Sequence, residues 1–194
     1  MPRPAIFVDR DGTLSREVGY VNHPSRFSLF AFSVDAVRAI NRSGFLAVLV
    51  TNQAGVARGY FPESVIDAVH VSLAESLAAG GARLDGIYVC THHPSVGEPP
   101  YRQDCQCRKP RPGLLVRAAR ELDIDLARSY VVGDRLADLQ LAWNVGATGV
   151  LVKSGYGLGE LVHHAPRWPR GPDMVAEHLF EAVQRILAQA PERA

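Results

Sequence analysis

The stretch Ala5-Ile6-Phe7-Val8-Asp9-Arg10-Asp11-Gly12-Thr13 decides the fold, because an apolar run stops there at two carboxylates. Four apolar residues are too few for a helix and suit a strand buried on both faces, as a parallel sheet requires. Such a strand cannot hold charge in its middle, so Asp9 and Asp11 belong where it emerges. Two residues apart on extended backbone, their side chains start on one face, and Gly12 lets the chain turn. Neighbouring carboxylates repel and are costly to desolvate, so a pair of them requires a cation or a shared proton. A solvated acidic turn is the plain alternative. What the later strand ends contribute decides between the two.

Outward from this stretch, Leu14 to Phe30 reads as a polar and aromatic loop with Gly19-Tyr20-Val21-Asn22 at its tip, long enough to be a functional flap. Ser33 suits the N-cap of a short helix through Ile40, closed by Gly44. Phe45-Leu46-Ala47-Val48-Leu49-Val50 is the strongest buried strand, and it too ends in polar groups, Thr51-Asn52-Gln53. Pro62 opens a helix to about Ala79 with Val65, Val69, Leu73 and Leu77 on one face, stopped by Gly80-Gly81. Gly86 to Val89 is a third strand and leads into Cys90-Thr91-His92-His93-Pro94. A Pro-rich loop returns at Cys105-Gln106-Cys107-Arg108-Lys109-Pro110, and Pro112 starts a helix through Leu122. Tyr130-Val131-Val132 is a fourth strand, ending in Gly133-Asp134-Arg135, with Asp138 one turn further on. A short helix through Val145 ends at Gly146, and Gly149 to Val152 is the fifth strand. Gly155-x-Gly157-x-Gly159 has the wrong spacing and place for a dinucleotide loop and reads as a flexible loop. Asp173 suits the cap of a last helix carrying Val175, Leu179, Val183 and Leu187.

Strands alternating with helices predict an α/β, three-layer, doubly wound parallel sheet. Its ligand belongs outside the carboxyl ends of the strands, where Asp9 and Asp11, Thr51 and Asn52, and Asp134 all emerge. The 194 residues, 47% apolar and 21% charged, suit one soluble domain spanning 1–194. A net charge of +1 supplies no field for nucleic acid or a membrane surface. No apolar run approaches a bilayer span, and Met1-Pro2-Arg3-Pro4 leads straight into a strand, so the reading is cytoplasmic. A monomer is expected.

These groups define a phosphoryl-transfer site. Asp9 and Asp134 can hold Mg²⁺ with phosphate oxygens completing its shell. Thr51 offers a hydroxyl and Lys109 a positive charge for a phosphoryl group in flight. Asp9 would attack phosphorus, and Asp11 would protonate the leaving alkoxide and then activate water. A phospho-accepting signalling domain also uses an Asp and Mg²⁺, but it carries its nucleophile on a later strand. The acid/base Asp11 beside Asp9 favours turnover over storage.

All three cysteines fall in two short hooks, Cys90-x-His92 and Cys105-x-Cys107. Four ligands of this softness match a closed tetrahedral Zn²⁺ site, in a loop of about 90–107. Spacing leaves His92 and His93 open as the fourth ligand. A reducing compartment disfavours a disulfide. Arg108 and Lys109 follow Cys107 directly, so zinc would fix the loop that aims them. Arg58, Arg102 and Arg111 read as solvated, Trp143 as core, Trp168 as loop packing. His23, His70, His163 and His164 carry no assigned role.

Asp9-Arg10-Asp11-Gly12-Thr13, Thr51-Asn52-Gln53, Lys109 and Gly133-Asp134-x-x-x-Asp138 resemble, in order, the four motifs of the haloacid dehalogenase (HAD) superfamily. Gly19-Tyr20-Val21, the Gly55-x-Ala57-Arg58-Gly59 loop and Cys107-Arg108-Lys109-Pro110-x-Pro112-Gly113 narrow the resemblance to its sugar bisphosphate phosphatases. The resemblance implies a HAD-like Rossmannoid fold and removal of the C7 phosphate of a heptose 1,7-bisphosphate. Histidinol phosphate is the alternative substrate, since phosphatases for it share the zinc loop. Asp9 is then the nucleophile and Asp11 the acid/base. Mg²⁺ lies on Asp9, the Asp11 backbone carbonyl and Asp134, and zinc on Cys90, His92, Cys105 and Cys107. Substrate would meet Glu17, Val18, Gly19 and Tyr20 of the flap, then Thr51, Asn52, Gln53 and Ala54, and Arg108, Lys109 and Arg135. Arg135 stands where relatives often carry Lys. The gaps between motifs leave no room for an inserted cap domain, so a capless, open site is implied.

Overall fold

A computed structural model describes residues 1–189; the last five residues of the domain read as 1–194 lie outside them. Among the described residues six strands form one parallel sheet: β1 (Ala5–Val8), β2 (Leu46–Asn52), β3 (Gly86–Cys90), β4 (Tyr130–Gly133), β5 (Thr148–Val152) and β6 (Met174–Ala176). Their spatial order is β3-β2-β1-β4-β5-β6. The first strand is therefore central, with Phe7 paired to Val48 of β2 on one side and to Val131 of β4 on the other.

Each inner strand has two buried faces. Ile6, Val8, Ala47 and Leu49 pack with α1 (Ser33–Arg42), α2 (Glu63–Ala79) and the last helix, Leu179–Gln189. Their neighbours Ala5, Phe7, Val48 and Val50 pack on the other side with α3 (Gly113–Leu122) and α4 (Leu136–Trp143). Period-two alternation between two helical layers explains why these strands read as continuous apolar runs. Only the flap and α1 separate β1 from β2, and only α2 with its flanking loops separates β2 from β3. Among the described residues no cap is inserted there.

The structure corrects several boundaries. Ser33 is the first residue of α1 and not its cap; Phe32 takes that position, and the Ser33 hydroxyl donates to the Leu14 carbonyl, pinning the flap's start to the helix. The buried face of α2 begins at Ile66, with Val65 only partly covered. α4 ends at Trp143. Asp173 caps no helix: its Oδ2 accepts the Gly149 N–H at 2.8 Å and the Trp143 Nε1–H at 3.2 Å. The three residues after it form β6, too short to show a pattern, and the last helix starts only at Leu179. The glycine stretch at 155–159 is an ordered turn that continues into a π-helical turn, Glu160–His164. Among the described residues no helix is long and apolar enough to cross a membrane.

Candidate active site

At β1 the strand order switches direction, since β2 and β4 lie on opposite sides of it. A crevice therefore opens at the carboxyl ends of β1, β2 and β4. Asp9 directly follows β1, and its backbone N–H still bonds the Val132 carbonyl at 3.0 Å, so the sheet itself fixes its direction. Gly12 turns the chain at φ +84°, where a Cβ would stand 2.1 Å from Asp134 Oδ2. Only glycine lets the first loop pass so close to the end of β4.

Asp9, Asp134 and Asp138 bring carboxylate oxygens within 4.8 Å of one another. One ammonium faces them: Lys109 Nζ lies 2.8 Å from Asp9 Oδ1 and 2.6 Å from Asp138 Oδ1. Burial raises the Asp9 pKa to about 7 against the opposing pull of Lys109. Burial, then the charges of Asp9 and Asp138, raise Asp134 to about 8. For Lys109 desolvation acts downward, but Asp138 and Asp9 together outweigh it and lift the ammonium's pKa. Three buried carboxylates against one cation leave negative charge uncompensated, and Asp134 Oδ1 is buried with no hydrogen-bond partner. Oxygen ligands with an orphaned lone pair suit a hard divalent cation.

The Asp11 carboxylate stands outside that cluster but lines the same cavity. Arg10, only 1% exposed, grips it through Nε at 3.1 Å and Nη2 at 2.9 Å, and Gln53 Nε2 donates to it at 2.8 Å. The same Gln53 nitrogen donates to Thr51 Oγ1 at 2.8 Å, linking the ends of β1 and β2. Asn52 clamps the backbone of Lys109, accepting from its N–H at 3.1 Å and donating to its carbonyl at 3.2 Å. The side chain read as a substrate contact is thus committed to Lys109.

A cavity of about 410 Å³ opens over these groups. The flap gives it Glu17, Gly19 and Tyr20; Val18 does not line it, and its carbonyl accepts from Arg26 instead. Thr51 to Ala54 form one wall, and Arg108, Lys109 and Arg135 another. Burial raises the pKa of Glu17, whose carboxylate accepts the Gly19 N–H. Arg10 and Asp138 are expected only as motif members with no role of their own, and Tyr156 is not expected at all. Asp138 stands four residues after Asp134, one helical turn, and that spacing is a usable signal. Nothing in the sequence separates Arg10 or Tyr156 from ordinary surface residues.

Beyond Arg108, Cys90, Cys105 and Cys107 bring their sulfurs to 3.2–3.6 Å of each other, and His92 Nδ1 lies 3.3 Å from Cys107 Sγ. Ligands about 2.3 Å from a tetrahedral zinc stand roughly 3.8 Å apart, so the cluster fits with slight expansion. His93 is turned away, its Nδ1 accepting the Ser95 N–H and its Nε2 facing Arg58. Of the two histidines that spacing leaves open, His92 is the one beside the three sulfurs.

A parallel sheet with acidic strand ends and a buried lysine is the architecture of the HAD hydrolases, and residues 106–182 match the HAD-hydrolase-like family. A D-glycero-beta-D-manno-heptose-1,7-bisphosphate 7-phosphatase of Yersinia pestis is 47% identical over 154 residues, 78% of this chain and 81% of that protein. The enzyme of the same name from Escherichia coli K12 is 45% identical, over 85% of this chain and 87% of its own. A D,D-heptose 1,7-bisphosphate phosphatase of B. bronchiseptica, solved with magnesium and phosphate, superposes with a TM-score of 0.85 at 34% identity, covering 96% of this chain and 99% of that one. The chain belongs to the D-glycero-D-manno-heptose 1,7-bisphosphate 7-phosphatase family of HAD hydrolases.

Proposed function

We propose that this protein, as one domain, removes the C7 phosphate of D-glycero-D-manno-heptose 1,7-bisphosphate by way of a phosphoryl group carried on Asp9. The observation that carries the reading is the convergence of Asp9, Lys109, Asp134 and Asp138 at the switch point of the sheet, in a chain 45–47% identical to phosphatases of that name. Asp9, Asp134 and the Asp11 backbone carbonyl would hold Mg²⁺, with Asp138 beside them, and the ion would neutralise the charge of the bound phosphate.

An Asp9 carboxylate oxygen attacks phosphorus as the bond from phosphorus to the C7 oxygen breaks, and Asp11 gives that oxygen a proton. Asp11 then takes a proton from water as the water attacks phosphorus. The acyl-phosphate bond breaks, inorganic phosphate leaves and the Asp9 carboxylate returns. Lys109 orients Asp9 and favours its ionised form against the cost of its burial, and Thr51 presents its hydroxyl to the phosphoryl oxygens. Arg108 and Arg135 face the cavity to receive the rest of a doubly anionic substrate. Cys90, His92, Cys105 and Cys107 would hold Zn²⁺ as a structural ion that sets the direction of Arg108 and Lys109. A monomer working in the cytoplasm completes the reading.

Paired turnover assays with Mg²⁺ test it. Heptose 1,7-bisphosphate should give a kcat/KM at least about a hundredfold above that for histidinol phosphate; the reverse order would overturn the assignment.

A further inference from the structure

The turn Ser154-Gly155-Tyr156-Gly157 has no place in the chemistry above, yet it is built against the site. Ser154 Oγ donates to the Gly12 carbonyl at 2.7 Å, and the Tyr156 N–H donates to Asp134 Oδ2 at 2.8 Å. A Cβ on Gly155, at φ +58°, would meet Asp134 Oδ2 at 2.2 Å and Gly12 Cα at 2.5 Å. One on Gly157 would meet the Val152 carbonyl at 1.7 Å. The glycines thus let the turn lie flat on the ends of β1, β4 and β5. Tyr156 is held at the cavity wall by its backbone and stays 42% exposed as a residue.

On that ring lies the guanidinium of Arg135, its Cζ 3.9 Å from the ring centre. The cations of this cavity differ in what they have left to offer. Lys109 is spent on Asp9 and Asp138, and Arg108 Nη1 donates to the His92 carbonyl at 3.2 Å. Arg135 forms no ion pair among the described residues, although its charge reaches Asp134 and Glu17. A carboxylate partner would occupy the N–H edges of a guanidinium, whereas an aromatic face holds it from below and leaves those edges free for a bidentate phosphate. A lysine cannot use such a platform in the same way.

Resting on the proposed bisphosphate substrate, we infer that Tyr156 is a positioning residue that holds Arg135 flat and pre-oriented to grip the phosphate that is not transferred. Pre-orientation lowers the ordering cost of binding, so its loss appears in KM and not in the chemical step.

The test compares heptose 1,7-bisphosphate with p-nitrophenyl phosphate, which lacks the second phosphate, on the magnesium-loaded enzyme. Tyr156→Ala should raise KM for the bisphosphate about three- to tenfold more than KM for the nitrophenyl ester, the size of one lost cation–aromatic contact. Tyr156→Phe should restore it to within twofold of wild type, and the Tyr156→Ala effect should largely vanish in an Arg135→Ala background. Equal losses on both substrates, failure of phenylalanine to rescue, or an undiminished effect without Arg135 would each overturn the inference. A wild-type enzyme that hydrolyses the nitrophenyl ester but no sugar bisphosphate would overturn the proposed substrate and this inference with it. Full bisphosphate turnover with no Tyr156 dependence would sink the inference alone.

Discussion

Lys109 sets one ammonium against buried carboxylates, and Asn52 grips its backbone on both sides. That grip carries a prediction: Asn52→Ala should lower kcat/KM roughly ten- to a hundredfold by letting Lys109 drift, at the cost of about 1–3 kcal/mol for two lost hydrogen bonds. Steady-state kinetics check it, and an unchanged kcat/KM would leave Asn52 with no positioning role. His70 gives a second prediction at this scale. Its Nε2 lies 3.4 Å from Arg10 Nη1, and burial, then the Arg10 charge, lower its pKa from 6.5 to about 4. The unfolded chain binds that proton near 6.5 and the folded one only near 4, so stability is complete above the first value and falls as pH drops between the two. The loss is on the order of 1–3 kcal/mol after allowance for the partial exposure of the ring. In His70→Gln the fall over that window should flatten, read as denaturant midpoints at pH 4.5 and 7.5. An equal slope in both proteins would contradict the assignment. The sequence names the acidic residues because carboxylates at the end of an apolar strand are anomalous by themselves. His70 and Arg10 were not legible, since only the packing of α2 against the first loop brings them together.

The element that bears most on the site without touching phosphorus is the cysteine loop. Its two hooks come from the end of β3 and from just before α3, so the proposed zinc closing them would fix the segment that carries Arg108 and Lys109. Stripping zinc, or Cys107→Ser, should lower kcat/KM about tenfold or more while leaving the Mg²⁺ concentration needed for half-maximal activity within twofold. Full activity in protein shown to be zinc-free by elemental analysis would refute the coupling. This loop was readable because cysteine and histidine are rare enough for their clustering to stand out. The turn at 154–157 was not, because glycine spacing reads as freedom in a sequence, whereas here it permits close packing on Asp134. β6 escaped for another reason: three residues after an aspartate resemble a helix start, and only the Gly149 N–H reveals what Asp173 binds.

Across the whole molecule, the order β3-β2-β1-β4-β5-β6 places the first strand at the centre and its two aspartates at the switch point. Alternating burial fixes the strands to both helical layers, so the direction of Asp9 is set by the core and not by the loop that follows it. The layered class was legible because alternating strands and helices admit few topologies. The open mouth left by a sheet without an inserted cap suits a substrate whose second phosphate contributes to its own binding. The most direct test follows both phosphorus resonances of D-glycero-D-manno-heptose 1,7-bisphosphate by ³¹P NMR, with the magnesium-loaded enzyme and with Asp9→Asn. The C7 resonance should convert to inorganic phosphate while the C1 resonance persists, and Asp9→Asn should slow this by at least about a thousandfold. Loss of the C1 phosphate first, or undiminished release by Asp9→Asn, would contradict the account.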